Sequence, residues 1–319
     1  MDYLTRYKKP LLKGLVVGIS VILAILILAD IQSVIRVFTE INISLLPLII
    51  ILAPLNYLVR FFKWNFYLKI VGIHPEPRIN KLIFMSGLAM TVTPGKVGEL
   101  LKCYLLKEHM NAPVSQTSSI VMAERITDAL SMVVLASLGA LIYPYGKIVV
   151  PLCAAILIFA VLLFHFDSLF NLITVKLSKF KFLEKRISFL SEFQGRAKKL
   201  FSFPNLILAV GMGVISWGFE GFVIYFAVQA LGSEITILSS IFVVSFSSLL
   251  GALSFLPGGL GVAEGSILTV LVLTGIGRDI AAAATIITRF STLWLGVAVG
   301  ILGLLVTQKE LSKTKTLNN

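Results

Sequence analysis

Leu256-Pro257-Gly258-Gly259-Leu260-Gly261 interrupts an apolar stretch that runs 237–277, and Pro94-Gly95-Lys96-Val97-Gly98 interrupts a second one at 82–107. Both interruptions read Pro-Gly-x-x-Gly. Proline removes a backbone donor and glycine opens the positive-φ region, so together they end a helix. Each stretch therefore reads as a helical hairpin with its bend inside the protein. The limbs of the first are about eleven residues each, or about 16 Å of helix, too short for a hydrocarbon layer of ~30 Å. That hairpin is read as re-entrant. In the second, Thr236–Leu256 comes close to spanning length.

Six full spans surround the hairpins, roughly 11–29, 45–62, 119–143, 148–166, 204–231 and 280–306. The chain of 319 residues is 57% apolar and 14% charged, whereas soluble domains carry about 25% charged residues. Leu11–Ala29 holds nineteen residues with a single charge, Lys13, at its edge. A cleaved signal peptide would have a shorter apolar run and a small-residue cleavage site, so this block reads as an anchor. The expected fold is an all-α integral membrane protein forming one membrane domain over 1–319. It has about six transmembrane helices and two broken, re-entrant hairpins.

The net charge of +12 would suggest nucleic acid in a soluble protein. Here no segment leaves room for a soluble nucleic-acid domain, so the excess reads as topology and attraction to anionic lipid heads. With the N-terminus inside, the inner segments carry nineteen Lys and Arg residues, Lys63 and Lys69 among them, against Arg36, Lys147 and Arg278 outside. Both termini are thus expected in the cytoplasm and the protein in the cell membrane. Segment 167–203 interleaves Lys176, Lys179, Lys181, Lys185, Arg186, Arg196, Lys198 and Lys199 with Phe170, Phe180, Phe182, Phe189 and Phe193. It suits a basic amphipathic linker lying on the inner leaflet, the alternative being a solvated connector. Cys103, Cys153 and the scattered His74, His109 and His165 show no metal spacing. No metal and no cofactor is expected.

The second half echoes the first. Arg125 lies 31 residues beyond Pro94 and Arg289 lies 32 beyond Pro257, and Glu99 and Glu264 follow the two glycine clusters. The halves 45–143 and 204–306 each run span, hairpin, span, and the odd span 148–166 inverts the second relative to the first. Inverted repeats with broken helices meeting near the midplane are a recurring plan of secondary transporters. The broken backbone must line a cavity or be covered by protein, because lipid cannot satisfy it. The limb after each bend opens with a positive dipole end suited to an anion.

Ionisable residues within spans are functional candidates by default. Arg60, Glu99, Glu124, Arg125, Asp128, Glu220, Glu264 and Arg289 qualify. Each has a plainer reading. Glu99 opens a helical limb, where the dipole alone favours a carboxylate. Arg125 and Asp128, at i,i+3, form a structural latch on this view, and Arg60 snorkels to the interface beside Trp64. Arg289 has no acidic neighbour in its own helix, leaving Glu124, Glu264 or an anionic headgroup as partner. Gly14/Gly18 and Gly296/Gly300 are GxxxG pairs that read as packing faces.

These residues carry a resemblance. Arg60 and Trp64, Thr93-Pro94-Gly95-Lys96-Val97-Gly98-Glu99, Glu124-Arg125-Ile126-Thr127-Asp128, Pro257-Gly258-Gly259-Leu260-Gly261 with Glu264, and Arg289 resemble the flippase-like transmembrane domain of lysylphosphatidylglycerol synthases. The likeness covers nearly the whole chain. Where that family more usually has Asn-Pro or Arg in the first hairpin, this chain has Thr93-Pro94 and Lys96. The resemblance implies translocation of aminoacylated phospholipid or, as in archaeal relatives, of polyprenyl-phosphate-linked sugars. The common element is a phosphate-bearing head on a lipid tail.

The chain is therefore expected to be a lipid flippase or scramblase, and not an enzyme. No Gly-x4-Gly-Lys-[Ser/Thr] motif occurs, so ATP hydrolysis is not implied. Arg60, Lys96, Glu99, Glu124, Arg125, Asp128, Glu264 and Arg289 are the candidate substrate-binding residues. Pro94, Gly95, Gly98, Pro257, Gly258, Gly259 and Gly261 form the bends. The expected partners are lipids with anionic heads and not nucleic acid, and a homo-oligomer is compatible with the sequence. The alternatives are a membrane-embedded transferase, with Glu124 or Asp128 as base, and an accessory subunit of lipid-linked glycan assembly.

Overall fold

The structure is a computed structural model describing residues 3–93, 98–140, 143, 144, 146–178 and 187–317. Among the described residues every regular element is helical and there is no sheet. In chain order the helices are α1 (Tyr3–Leu28), α2 (Ile31–Thr39), α3 (Leu46–Ile70), α4 (Pro77–Ala89), α5 (Leu101–Met110), α6 (Val114–Ala140) and α7 (Gly146–His165). They continue with α8 (Asp167–Ser178), α9 (Ile187–Leu200), α10 (Phe203–Ala230), α11 (Ile237–Leu253), α12 (Val262–Leu273), α13 (Arg278–Arg289) and α14 (Leu295–Leu317). A single π-helical turn, Phe290–Trp294, joins the last two.

The local sequence explains the boundaries. Prolines stand in the first turn of α3, α4 and α10, where a backbone N–H would lack an intrahelical acceptor anyway. α3 and α10 end alike. Gly72 and Gly232 both adopt φ 75°, and the following amides, Ile73 and Ser233, bond back to Leu68 O at 2.9 Å and Val228 O at 3.1 Å. These left-handed closures satisfy carbonyls that the helix end would leave bare.

Four helical stretches are long and apolar enough to cross a membrane: Ile43–Ile70, Gly146–His165, Phe203–Ala230 and Arg278–Glu310. A fifth arises if Leu11–Ile27 and Ile31–Thr39, bent by 93° to each other, count as one broken span. The sequence reading had six, including 119–143. That segment lies in α6, whose otherwise apolar run contains Glu124, Arg125 and Asp128, all within the bundle. The bent pair also turns the expected outer loop around Gln32 into a short helix, α2, whose buried Val34 packs inward while Ile31 and Ile35 stay exposed.

The main contacts between helices are reciprocal. α3 packs on α10, α4 packs on α14, and α11 packs on α6. The first limb of each hairpin thus lies against the last helix of the other half. Asn56 of α3 donates from Nδ2 to the carbonyl of Ser216 of α10, 160 residues away, at 2.8 Å. The same 160-residue step relates Gly72 to Gly232. Small residues permit the closest approaches, as membrane helix packing requires. A Cβ added at Gly300 would lie 2.0 Å from the Ala89 nitrogen, at Gly296 2.8 Å from the Tyr57 hydroxyl, and at Gly18 2.1 Å from the Trp294 ring.

Segment 167–203 forms two helices, α8 and α9, with 179–186 outside the described residues. α9 packs on α6 and buries Ala197 and Leu200. Phe164 gathers Phe170, Phe193 and Phe201 around the foot of α7. Lys198 Nζ donates to Asp167 at 2.7 Å, and Gln194 donates to its other carboxylate oxygen at 3.0 Å. Of this segment, α9 is folded against the bundle.

Candidate functional site

The described flank of the first hairpin break, Met90–Val92, abuts the second break at Pro257–Gly259. In the first, α4 runs into a 3-10 turn, Met90–Val92, and Thr93 turns extended. The Thr93 hydroxyl donates to Met90 O at 2.6 Å and accepts the Gly98 amide at 2.9 Å, closing the loop. A Cβ at Gly98 would sit 2.6 Å from that hydroxyl, so the closure needs glycine. Pro94, Gly95 and Lys96 lie outside the described residues. In the second break, φ is positive at Phe255, Gly258, Gly259 and Gly261, a run that ends α11 and redirects the chain into α12. A Cβ at Gly258 would lie 3.5 Å from the Thr91 carbonyl oxygen of the first break.

A cavity of about 250 Å³ opens beside this junction. Arg60, Arg125, Asp128, Glu220 and Arg289 line it together with Tyr57, Trp217, Gly258 and Gly259. Its walls draw on both hydrophobic cores, through Met132 and Trp217 on one side and Leu88 and Leu293 on the other.

The arginines reach the cavity from supports behind it. Arg125 Nη2 lies 3.1 Å from Glu99 and 3.3 Å from Asp128. Asp128 also accepts from Lys63 Nζ at 2.8 Å and lies 4.0 Å from Arg60. On the other side Arg289 Nε donates to Glu264 at 2.6 Å and its Nη2 donates to Gly258 O at 3.0 Å. The second Glu264 oxygen accepts the Gly261 amide at 2.7 Å, capping α12. The side chains of Arg60, Arg125 and Arg289 remain 16%, 23% and 14% exposed, while those of Asp128, Glu99 and Glu264 are at most 5% exposed. Glu99 and Glu264 hold Arg125 and Arg289 from behind, while Asp128 and Glu220 share the lining with the guanidiniums.

The sequence expectations divide on this geometry. Arg60, Arg125, Asp128 and Arg289 line one cavity with Gly258 and Gly259. Glu99 and Glu264 contact its arginines. Glu124 does not line it. Its carboxylate accepts from Lys102 Nζ at 2.6 Å, and that ammonium sits 4.1 Å over the Trp64 ring. Arg289 takes Glu264, not Glu124, as its partner. Two site cations escaped the sequence reading. Lys63, counted there among the inner-loop charges, is 2% exposed and bound to Asp128. Lys102 belongs to the first hairpin's second limb. The signal for Lys63 was its i,i+3 spacing from Arg60 on one helix face, and for Lys102 its i,i+3 spacing from Glu99. Around the cavity, five cations (Arg60, Lys63, Lys102, Arg125 and Arg289) equal in number the carboxylates Glu99, Glu124, Asp128, Glu220 and Glu264. Among the described residues, then, the formal charges of this cluster balance.

Residues 15–300 match the family described as the lysylphosphatidylglycerol synthase transmembrane region. The chain belongs to this family. Full-length relatives agree with that assignment. A UPF0104 membrane protein of Pyrococcus horikoshii is 25% identical over 95% of this chain and 98% of its own length. One from Methanothermobacter thermautotrophicus is 20% identical over 98% and 97%. Another from Methanocaldococcus jannaschii is 27% identical over 70% of this chain and 95% of its own. The chain is a multi-pass membrane protein, and the family region it matches is the synthase's membrane part alone.

Proposed function

We propose that this protein carries the head of a phosphate-bearing lipid between the two leaflets, through the cavity where the hairpin breaks meet. The observation that carries the reading is the set of three guanidiniums that line one cavity, Arg125 and Arg289 each held by a buried carboxylate behind the lining. Close to an anion at 4 Å, a cation contributes about 4 kcal/mol at an effective dielectric of 20 against about 1 in water. Such a surface favours a phosphate over a neutral head. Asp128 and Glu220 share the lining with the guanidiniums, so a head that adds an amine or hydroxyl donors to its phosphate suits this surface better than a bare anion. Aminoacylated phospholipid and polyprenyl-phosphate-linked sugar both have that character. The substrate-binding residues are then Arg60, Arg125, Asp128 and Arg289 at the cavity. Glu99 and Glu264 set the arginines, Glu124 holds a limb, and Lys96 in the first bend completes the set.

In this reading the halves 45–143 and 204–306 form an inverted repeat. The reciprocal packing of α4 on α14 and of α11 on α6 supports it. The hairpins dip from opposite sides of the cell membrane, both termini are cytoplasmic, and transport needs no ATP.

The test is purified protein in liposomes with a reporter lipid on one leaflet. Exchange of phosphate-headed lipid at least about tenfold faster than of neutral diacylglycerol is expected, equivalent to roughly 1.4 kcal/mol. Arg125→Leu and Arg289→Leu are each expected to abolish it in protein that still inserts. Equal handling of charged and neutral lipids would make the arginines structural. Product formation without exchange would favour a transferase.

A further inference from the structure

The two breaks are not secured alike. The first hairpin is tied to α6 twice, by Glu99–Arg125 and by Lys102–Glu124. Its first limb is sunk into α14, where Gly303 meets Met85 and Ser86, and where the Ser86 and Thr307 hydroxyls lie 3.0 Å apart. In the second hairpin, α12 packs mainly on α11 and α13. A groove of about 380 Å³ runs along its outer face past Gly261, Gly265 and Thr269. A Cβ added at Gly265 would meet nothing within 4 Å. The break before α12 passes through four residues with positive φ, among them Phe255, which is 76% exposed and lines the cavity.

Arg289 ties this looser break to α13. Arg289 gives Nε to Glu264 and Nη2 to Gly258 O, clasping both ends of the turn, while the same guanidinium faces the cavity. It stands at the entrance of the π-helical turn, a local widening often found at functional sites. A guanidinium has five N–H donors in a fixed fork and pairs with phosphate in two-pronged fashion. An anion in the cavity that takes the Nη2 hydrogen held by Gly258 O as one of its two prongs draws that donor away from the carbonyl. We infer that Arg289 couples cavity occupancy to the second hairpin: a bound phosphate head competes with the Gly258 carbonyl, frees the break, and lets α12 shift towards its outer groove. This rests on the proposed phosphate-bearing substrate, and it makes Arg289 a positioning residue as well as a binding one. The first hairpin, double-tied, stays still.

The experiment uses the full chain in lipid nanodiscs with nitroxides at Leu256→Cys, beside the second break, and at Leu58→Cys on α3. Both sites are exposed, whereas the native Cys103 and Cys153 are buried. Dihexanoyl phosphatidylglycerol is the probe, dihexanoylglycerol the neutral control, and binding is measured on the same samples. The expected result is a shift of the distance distribution with the phosphate probe alone. The shift should be lost in Arg289→Lys, which keeps the charge but not the fork, and in Arg289→Gln/Glu264→Gln, which leaves no buried unpaired charge. A label pair at Tyr104→Cys and Leu58→Cys, reporting the first hairpin, should not move. Binding to the wild type without a shift, or a shift that persists in both variants, overturns the coupling and leaves the proposed function standing. No binding of the phosphate probe to the wild type overturns both.

Discussion

Glu124→Gln separates a residue that builds the site from those that form it. The Glu124 carboxylate and the Lys102 ammonium meet at 2.6 Å with side chains 6% and 5% exposed, away from the cavity lining. Removing one charge of a buried pair leaves the other uncompensated, which costs about 3–5 kcal/mol. The Trp64 ring, 4.1 Å from that ammonium, stabilises Lys102 in both proteins and so does not offset the loss. At about 2–4 °C per kcal/mol for chains of 150–250 residues, the melting temperature should fall by roughly 6–20 °C. Replacing both charges, Lys102→Met with Glu124→Leu, should recover most of this, since apolar pairs of similar volume are commonly neutral or better. The assay is thermal unfolding of the wild type, Glu124→Gln and the double variant in one detergent, followed by leaflet exchange in liposomes. The double variant is expected to retain exchange, unlike Arg125→Leu or Arg289→Leu. A double variant no more stable than Glu124→Gln would refute the buried pair. A stable double variant that no longer exchanges lipid would return Glu124 to the substrate site.

Three further outcomes are expected. A cysteine at Lys179 should be labelled only from the cytoplasmic side and one at Gln32 only from outside; labelling of both from one side would overturn the inverted repeat. Gly300→Ala should lower the melting temperature by an overpacking cost of about 1–3 kcal/mol, because its new methyl group would fall 2.0 Å from the Ala89 backbone nitrogen; an unchanged melt would show that α4 and α14 can part without cost. The Lys198 ammonium holds the exposed Asp167 carboxyl below its ordinary value, chiefly by their hydrogen bond. Its contribution is fully present above the unfolded-state value of about 3.9 and is lost as pH falls through the lower folded value. Amide protection in 193–200, corrected for the intrinsic exchange rate at each pH, should therefore fall only in strong acid, and the same profile in Asp167→Asn would refute the link.

Much of this protein is legible in one dimension because it depends on properties of contiguous residues. Apolar blocks such as 148–166 and 204–231 announce spans, since lipid admits only long uncharged helices. Pro257-Gly258-Gly259 announces a break, since proline lacks a donor and glycine alone reaches these dihedrals cheaply. The matched offsets of Arg125 and Arg289 from their Pro-Gly motifs, and the motifs that carry the family resemblance, are likewise read along the chain. The pairing of Arg125 with Asp128 was within reach because both stand on one helix face.

What the tertiary structure decided are the choices among partners that spacing leaves equivalent. Arg289 had Glu124 and Glu264 open to it. Packing of α12 on α13 brings Glu264 to 2.6 Å, while Lys102 of the first hairpin occupies Glu124. Lys63 looked like one more basic residue near the inner interface until the packing of α3 beside α6 buried it against Asp128. The α6 charges looked costly for a span and are instead enclosed by neighbouring helices. A buried charge must find its counterpart wherever the fold brings one within about 3 Å, and that distance is a property of packing between helices, which no offset along a single chain encodes.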